Sequence, residues 1–275
     1  MPMNTRQRNV NALRLNGNQL KLIAVISMLL DHFGFLLVGK GCMVPLMNAG
    51  EPYGGWWIFY NVLRMAGRVA FPVFCFLLVE GFLHTKNWKK YVLRLGIFAA
   101  VSEVPFDLVD AGTLIGPAMQ NVFFTLLIGF LMMKVLETAG GWLSPEPDGP
   151  HGAGAGHGLG AASRTELTLL LQLVVIVLFC GAAWLLKTDY DYIGIMLIAL
   201  FYWFRCDRQK LCVFGFVWMS VMMRKLLYLP GFALAFMLIY FYTGERGKWK
   251  GKYFFYLFYP VHLLILTWIY NLVFM

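Results

Sequence analysis

Residues 20–38 read LKLIAVISMLLDHFGFLLV, and the interpretation of the whole chain starts from this run. A helix that crosses the hydrocarbon core of a bilayer needs about 20 predominantly apolar residues, and this run is long enough. It nevertheless contains three ionisable side chains, Lys21, Asp31 and His32. No small-residue cleavage site follows it, so we expect a permanent first membrane span rather than a signal peptide.

The composition of the whole chain agrees with a membrane protein. Of its 275 residues, 60% are hydrophobic and 13% are charged, whereas soluble domains carry about 45–50% apolar and about 25% charged residues. This excludes a soluble enzyme, a disordered protein and a secreted disulfide scaffold. We expect an all-α fold: a polytopic helical bundle around a polar cavity, forming a single integral membrane domain over residues 1–275.

Hydropathy predicts about nine transmembrane segments. They are 20–38, 57–82, 91–109, 119–136, 167–186, 190–204, 211–223, 226–242 and 252–273. The sixth and seventh are short, so they form either half-spans or a re-entrant pair. A flexible cytoplasmic loop is predicted at about 138–166, where Gly, Ala and Pro dominate.

The net charge of +9 fits the excess of Lys and Arg that cytoplasmic loops carry. The distribution of these residues predicts a cytoplasmic N-terminus and an outer C-terminus. The C-terminus changes side if the short pair is a single unit. No basic run is interleaved with exposed aromatic residues, so no nucleic-acid partner is expected.

Neither a disulfide framework nor a metal site is predicted. The five cysteines are odd in number and lack paired spacing. His151 and His157, in the Gly-rich loop, match no zinc-ligand spacing.

The first span places two ionisable side chains on one helix face. Lys21 and His32 are separated by about three full turns, or ~16 Å along the axis. Histidine titrates near neutral pH, so His32 is a candidate general base, with Asp31 beside it to orient or stabilise the imidazole. Alternatively, Asp31 and His32 are buried structural residues that bind neighbouring helices.

The second span carries Arg64 and Arg68 at i,i+4 spacing, followed by a predicted kink at Phe71-Pro72. Two arginines on one face require acids or a phosphorylated ligand. They either bind the ligand or form internal ion pairs with one of three acids. Those acids are Glu80, Glu103 and Asp107.

Further polar residues are candidates for supporting or substrate-binding roles. Glu103 and Asp107 either relay protons or neutralise the two arginines. Tyr259-Pro260 predicts a kink that turns His262 inward, where it is either structural or catalytic. The full set comprises Glu80, His84, Glu103, Asp107, Asn121, Thr125, Tyr256, Tyr259 and His262.

A basic patch follows the second span at Lys86, Lys89, Lys90 and Arg94. Such a patch is typical of a topology anchor. It also suits a phosphate-rich cofactor or an anionic lipid.

Taken in order, several of these pieces resemble the TraX family of polytopic membrane proteins. The matching stretches are Leu20–Ala24, Met28–Gly34, Gly67–Phe74, Val79–Thr85, Lys90–Arg94, Ser102–Asp107, Asn121–Thr125 and Lys252–Leu263. The family is named for a conjugation protein that N-acetylates pilin in the bacterial inner membrane. It also resembles wider membrane acyltransferases, which use a membrane histidine and a cytoplasmic acyl-CoA.

This resemblance implies an acyl-CoA-dependent acyltransferase in the cytoplasmic membrane of a bacterium. Those acyltransferases carry a basic residue, ten intervening residues and then His, as Lys21 and His32 do. The catalytic residues would be His32 and Asp31, without a metal. Acetyl-CoA or another acyl-CoA would be held by Lys21, Arg64, Arg68, Lys86, Lys90 and Arg94.

The expected partners are membrane lipid and an acyl acceptor, which is a peptide, a glycan or a lipid; an oligomer is compatible with this scheme. The Gly-rich loop departs from the family pattern. A proton-coupled small-molecule transporter is the alternative, because buried acids, bases and broken helices suit transport too. A non-catalytic membrane scaffold is a third hypothesis.

Overall fold

The computed structural model describes residues 14–116, 118–143, 161–248 and 251–275. Its helices are α1 (Gly17–Phe33), α2 (Val44–Asn48), α3 (Gly54–Gly67), α4 (Ala70–Leu83), α5 (Trp88–Asp110), α6 (Val122–Leu143), α7 (Ala161–Leu185), α8 (Asp191–Trp203), α9 (Arg208–Met223), α10 (Leu229–Tyr240) and α11 (Lys252–Phe274). A π-helical stretch, Gly34–Met43, joins α1 to α2, and a 3-10 turn, Leu226–Tyr228, precedes α10. The all-α prediction is confirmed.

Within the described residues, five helical segments are long and apolar enough to cross a membrane. They are Gly17–Asn48, Gly54–Leu83, Val122–Ala139, Thr165–Leu185 and Tyr253–Phe274. Two shorter apolar segments, Asp191–Trp203 and Leu226–Tyr240, accompany them. These are the helices of a membrane protein, while the predicted total of about nine spans stays a prediction.

The predicted loop at 138–166 is shorter than expected at both ends. Helix α6 continues to Leu143 and α7 already begins at Ala161. Two side-chain contacts accompany the continuation of α6 beyond residue 136. Lys134 and Glu137 form an ion pair of 2.6 Å, and Thr138 Oγ1 donates a hydrogen bond to the Lys134 carbonyl. Residues 144–160, with His151 and His157, lie outside the described residues.

The second predicted segment is broken earlier than the expected kink at Phe71-Pro72. Helix α3 ends at Gly67 and α4 begins at Ala70. A proline inside a helix clashes with the carbonyl four residues before it, which for Pro72 is that of Arg68. Placing Pro72 in the first turn of α4 removes this conflict, because N–H groups in a first turn have no helical partner in any case.

Contacts divide the described chain into two compact units. Unit 1 comprises the described residues of Met1–Leu77, Asp207–Phe258 and Trp268–Met275. Unit 2 comprises those of Leu78–Cys206 and Tyr259–Thr267.

In unit 1, α1 and the π-helical stretch pack on α3, and α10 packs on α3 and α9. Glycines permit these close approaches. A Cβ at Gly34 would lie 2.8 Å from Leu63 Cβ, and one at Gly231 would overlap the Met65 carbonyl oxygen. Helix α1 starts with a capping box, in which the Asn16 side chain accepts from the backbone N–H of Gln19.

In unit 2, α6 lies among α5, α7 and α8, and α7 also packs on α8. Its buried core includes Phe82, Phe130, Met133 and Ile198. The rings of Phe82 and Phe130 meet edge to face at 5.1 Å. This core holds the polar side chains of α5 and α6 in fixed positions.

Candidate active site

Three charged side chains of unit 1 form one network. Asp31 on α1 binds both arginines: its Oδ2 lies 2.6 Å from Arg64 Nη1, and its Oδ1 lies 2.5 Å from Arg68 Nη2. The three side chains are only 8–19% exposed. With two guanidinium groups on one carboxylate, the network carries a net charge of +1.

The backbone of α3 brings the two arginines to the same carboxylate. Arg64 and Arg68 are one turn apart, and Arg68 Nε donates a hydrogen bond of 3.1 Å to the Arg64 carbonyl. Gly67 lies between them against Asp31, where a Cβ would overlap the carboxylate. Ser27, one turn before Asp31, fastens α1 to the end of α3 by donating to the Ala66 carbonyl at 2.7 Å.

Aromatic rings surround the arginines. Arg64 lies 5.4 Å from the ring of Phe35 and 6.0 Å from that of Tyr60. Arg68 lies 5.1 Å from the ring of Tyr228, which is itself buried. These contacts, together with the paired carboxylate, hold both guanidinium groups in one orientation.

His32 is half-buried beside this network. The charges of Asp31, Arg64 and Arg68 all act on it, and its ring donates a hydrogen bond to the Met28 carbonyl one turn earlier. In a neutral imidazole one ring nitrogen donates and the other accepts. The Met28 carbonyl therefore selects the tautomer in which the second nitrogen is the acceptor.

These contacts differ from two expectations. Asp31 is predicted to orient the imidazole of His32 or to stabilise its charged form. Both of its oxygens bind arginines, so the Met28 carbonyl bonds the ring instead, while the charge of Asp31 still acts on His32. Glu103 and Asp107 were expected to neutralise the arginines, but the carboxylate in that position is Asp31. Asp31 is on the helix that packs against α3, so it reaches both arginines of one face at once.

Lys21 lies at the other end of α1 from the Asp31 network. It is half-buried, and its Nζ is 5.5 Å from the ring of Phe255. Arg246 is close enough for its charge to act on Lys21.

A second polar cluster lies in unit 2. Asn121 Nδ2 donates to the Glu103 carboxylate and, at 2.8 Å, to the Ala99 carbonyl. Asp107 Oδ2 accepts from the backbone N–H of Gly116 at 2.8 Å, and Thr125 Oγ1 donates to the Asp189 carbonyl. The predicted i,i+4 acids are thus in place, bonded to amide and backbone donors.

Two predicted residues of α11 are buried in this unit. The rings of Tyr259 and His262 are 5.8 Å apart, and both side chains are buried. Tyr259 also packs edge to face on Phe123 at 5.3 Å. His262 points inward as expected, although α11 is a single continuous helix around Pro260. Tyr256 is half-buried, on the part of α11 that belongs to unit 1.

The remaining predicted residues lie where α4 ends and α5 begins. Lys86 and Lys90 are exposed, and Arg94 is half-buried with its guanidinium 5.4 Å from the ring of Tyr91. Arg94 Nε is buried and has no hydrogen-bond partner in the described part of the chain. His84 is exposed, with Nδ1 2.8 Å from the carbonyl oxygen of the half-buried Glu80.

Sequence reasoning missed Ser27, Gly67 and Tyr228 as parts of the site. The sequence could have indicated Ser27, because it precedes Asp31 by one helical turn and so lies on the same helix face. Gly67 begins one of the stretches that resemble the family, but the sequence indicated no role in the site for it or for Tyr228, since both roles depend on which helices of unit 1 meet.

Comparisons with known proteins match nearly the whole chain. The TraX protein family matches residues 16–270. The chain is 29% identical over 256 residues to the probable fimbrial assembly protein FimC, serogroup H1, of Dichelobacter nodosus, covering 90% of this chain and 93% of the relative. No solved structure matches the chain. Because the match spans nearly its whole length, from the cap of α1 into the last turns of α11, this chain belongs to the TraX family.

Proposed function

We propose that this protein is a membrane-embedded acyltransferase that moves an acyl group, preferably acetyl, from acyl-CoA to an amine or hydroxyl of an acceptor. The observation that carries the proposal is the Asp31–Arg64–Arg68 network beside His32, which joins the two apolar segments Gly17–Asn48 and Gly54–Leu83. Ionisable groups in a bilayer are costly and usually mark a functional site. A base next to fixed cationic donors is what acyl transfer requires.

His32 acts as the general base. The hydrogen bond to the Met28 carbonyl leaves the second ring nitrogen as acceptor for the proton of the attacking amine or hydroxyl. A C–N or C–O bond forms, the C–S bond breaks, and His32 passes the proton to the departing CoA thiolate. Asp31 acts through the arginines, as a positioning residue rather than as a partner of the imidazole.

Arg64 supports the charge that develops on the acyl oxygen. Its Nε is buried and has no hydrogen-bond partner among the residues that the structure describes. A buried donor without a partner costs about 1–3 kcal/mol, and an oxyanion would satisfy it. The net charge of +1 on the network favours the same negative charge.

Acyl-CoA supplies an activated thioester together with a phosphate-rich nucleotide end. The basic residues fit that end: Lys86 and Lys90 are exposed, and the buried Arg94 Nε has no hydrogen-bond partner among the described residues. Lys21 is a further candidate for binding these phosphates. Arg64 and Arg68 suit the phosphates less than expected, because both are already paired with Asp31.

The acceptor that the relative suggests is a protein subunit of a fimbria, since the similar Dichelobacter protein is described as acting in fimbrial assembly. We further propose that the protein resides in the bacterial inner membrane with its N-terminus in the cytoplasm. The distribution of basic residues supports this orientation, which also gives the α4–α5 connection access to cytoplasmic acyl-CoA.

The proposal is tested on purified full-length protein in detergent. We expect acetyl-CoA to raise the melting temperature and to be hydrolysed slowly, releasing thiol. His32→Gln keeps a side-chain donor for Met28 but cannot act as a base. It should retain the thermal shift and lose at least about 100-fold in thiol release, as expected when a general base is removed.

The matched control is His157→Ala, a histidine that the proposal places in no site, which should behave as wild type. Lys86→Gln/Lys90→Gln should raise the KM for acetyl-CoA while leaving kcat unchanged. Full thiol release by a folded His32→Gln protein would remove His32 as the base. An absence of stabilisation by any acyl-CoA would overturn the acyltransferase proposal and direct attention to proton-coupled transport.

A further inference from the structure

Unit 2 contains a cavity that the proposed reaction does not use. Its volume is about 260 Å³, and it lies among α6, α7 and α8 at the end where α8 finishes. Pockets for drug-sized ligands are larger, about 300–1,000 Å³. This cavity therefore suits part of a long molecule rather than a whole nucleotide cofactor. Its lining consists of Leu136, Glu137, Gln172, Ile176, Ala199, Tyr202, Trp203 and Arg205.

The lining changes character from floor to rim. Leu136, Ile176 and Ala199 are buried and apolar. Trp203 is 43% exposed, Arg205 is exposed, and Tyr202 is half-buried. An apolar floor beneath a rim of Trp, Tyr and Arg is the profile of an amphiphile at the membrane interface, where Trp and Tyr are enriched at headgroup level.

The rim holds one cation, Arg205, in a fixed position. Arg205 Nη1 donates to the Tyr202 carbonyl at 2.7 Å, and its guanidinium stacks 4.4 Å from the ring of Tyr202. Within the described residues no carboxylate pairs with Arg205. Glu137, also on the rim, is bound by Lys134 at 2.6 Å. The charge left over at the rim is therefore positive.

The surface around the cavity is apolar and suited to contact with lipid. Helix α7 exposes Leu169, Leu173 and Val177, which the hydrocarbon of a bilayer would cover. Lys134, which pairs with Glu137, lies 5.6 Å from the ring of Trp88, and Lys89 lies 5.9 Å from the same ring, so Lys89 is a further cation near this end of the unit. Basic pockets between transmembrane helices bind anionic lipid headgroups.

We propose that this cavity is a binding site for an anionic phospholipid. Arg205 contacts the phosphate, Tyr202 and Trp203 flank the headgroup, and one acyl chain enters the apolar floor between α6, α7 and α8. The site does not depend on the proposed acyl transfer, since no residue of the Asp31 network takes part.

The test is native mass spectrometry of the full-length protein with phosphatidylglycerol and phosphatidylethanolamine of identical acyl chains. The wild-type protein should retain phosphatidylglycerol in preference to phosphatidylethanolamine. Arg205→Gln should lower phosphatidylglycerol affinity by about tenfold, the loss expected for a charge-assisted contact. The matched control is Lys210→Gln, which removes one positive charge from an exposed residue outside the cavity and should change nothing.

A second variant tests the cavity itself. Gln172→Trp fills the space without changing charge and should lower retention of both lipids, with the melting temperature in detergent reporting that the protein is folded. Equal retention of the two lipids by wild type would overturn the proposal. So would unchanged phosphatidylglycerol binding in folded Arg205→Gln and Gln172→Trp proteins.

Discussion

Gly67 lies directly against the carboxylate of Asp31: a Cβ built on residue 67 would stand 2.6 Å from Asp31 Cγ. This contact sets the position of the carboxylate between Arg64 and Arg68. The glycine is needed here for space, because only a residue without a side chain lets α1 and α3 approach closely enough for both ion pairs to form.

Gly67→Ala should therefore displace Asp31 and weaken both ion pairs. Forcing a methyl group into a packed site costs about 1–3 kcal/mol, and we expect a lower melting temperature together with a loss of activity. Gly96→Ala is the matched control, because a Cβ at residue 96 of α5 meets nothing within 4 Å. Equal melting temperatures for the two variants would contradict the role of Gly67.

Asp31→Asn should destabilise the protein, since it leaves two guanidinium groups facing one neutral amide. Breaking a buried ion pair costs about 3–5 kcal/mol, and partial exposure of these side chains places the expected cost at the lower end. Glu137→Gln, which breaks the more exposed pair with Lys134, should cost less than about 1 kcal/mol.

Removing one arginine should restore part of the stability that Asp31→Asn loses. In Asp31→Asn/Arg64→Gln a single guanidinium remains beside the amide, so the double variant should melt above Asp31→Asn. A thermal-melt double-mutant cycle measures this coupling. Purely additive effects of the two substitutions would show that the charges do not interact.

Asn121 and Asn87 occupy equivalent positions at the starts of α6 and α5, and they should respond differently to Asp. Asn121 Oδ1 accepts from the Phe123 N–H, and Asn87 Oδ1 accepts from the Lys90 N–H, each at 3.0 Å. Aspartate caps a helix as well as asparagine does. Asn87→Asp should therefore be neutral or slightly stabilising.

Asn121→Asp keeps the cap but loses the Nδ2 donor, and it places a second carboxylate against Glu103. Losing buried hydrogen bonds to charged groups costs about 1.5–3 kcal/mol each, so this variant should melt well below Asn87→Asp. A melting temperature equal to that of Asn87→Asp would show that the bond to Glu103 contributes nothing to stability.

The proposed orientation predicts which side of the membrane each connection faces. Cys206, exposed between α8 and α9, should react with a membrane-impermeant maleimide in inverted vesicles and not in intact cells. Lys187→Cys, in the connection between α7 and α8, should show the reverse pattern in a Cys206→Ser background. Labelling of both sites from the same side would contradict a membrane crossing by α8.

Much of the helix order was predictable because apolar runs and helix length are linked through the thickness of a bilayer. The segment predicted at 190–204 is α8 at Asp191–Trp203, and the one predicted at 252–273 is α11 at Lys252–Phe274. The π-helical stretch after Phe33 was not predicted, because hydropathy does not distinguish it from a continuing α-helix.

The candidate site was predictable residue by residue but not in its pairing. Periodicity placed Arg64 and Arg68 on one face, and it also placed Glu103 and Asp107 on one face. It did not indicate that Asp31 would bind both arginines. The pairing with Asp31 depends on the close approach of α1 and α3 at Gly67, and the spacing of residues in the sequence does not indicate this approach.

The two halves of unit 1 are far apart along the chain. Arg68 stacks on Tyr228, and Gly231 of α10 lies against the Met65 carbonyl of α3, so residues near 65 meet residues near 230. During synthesis α3 is complete long before α10 emerges from the ribosome. Unit 2, apart from residues 259–267, is made in one uninterrupted stretch in between. Until the later helices arrive to enclose them, Asp31 of nascent α1 must therefore balance the charges of Arg64 and Arg68 alone.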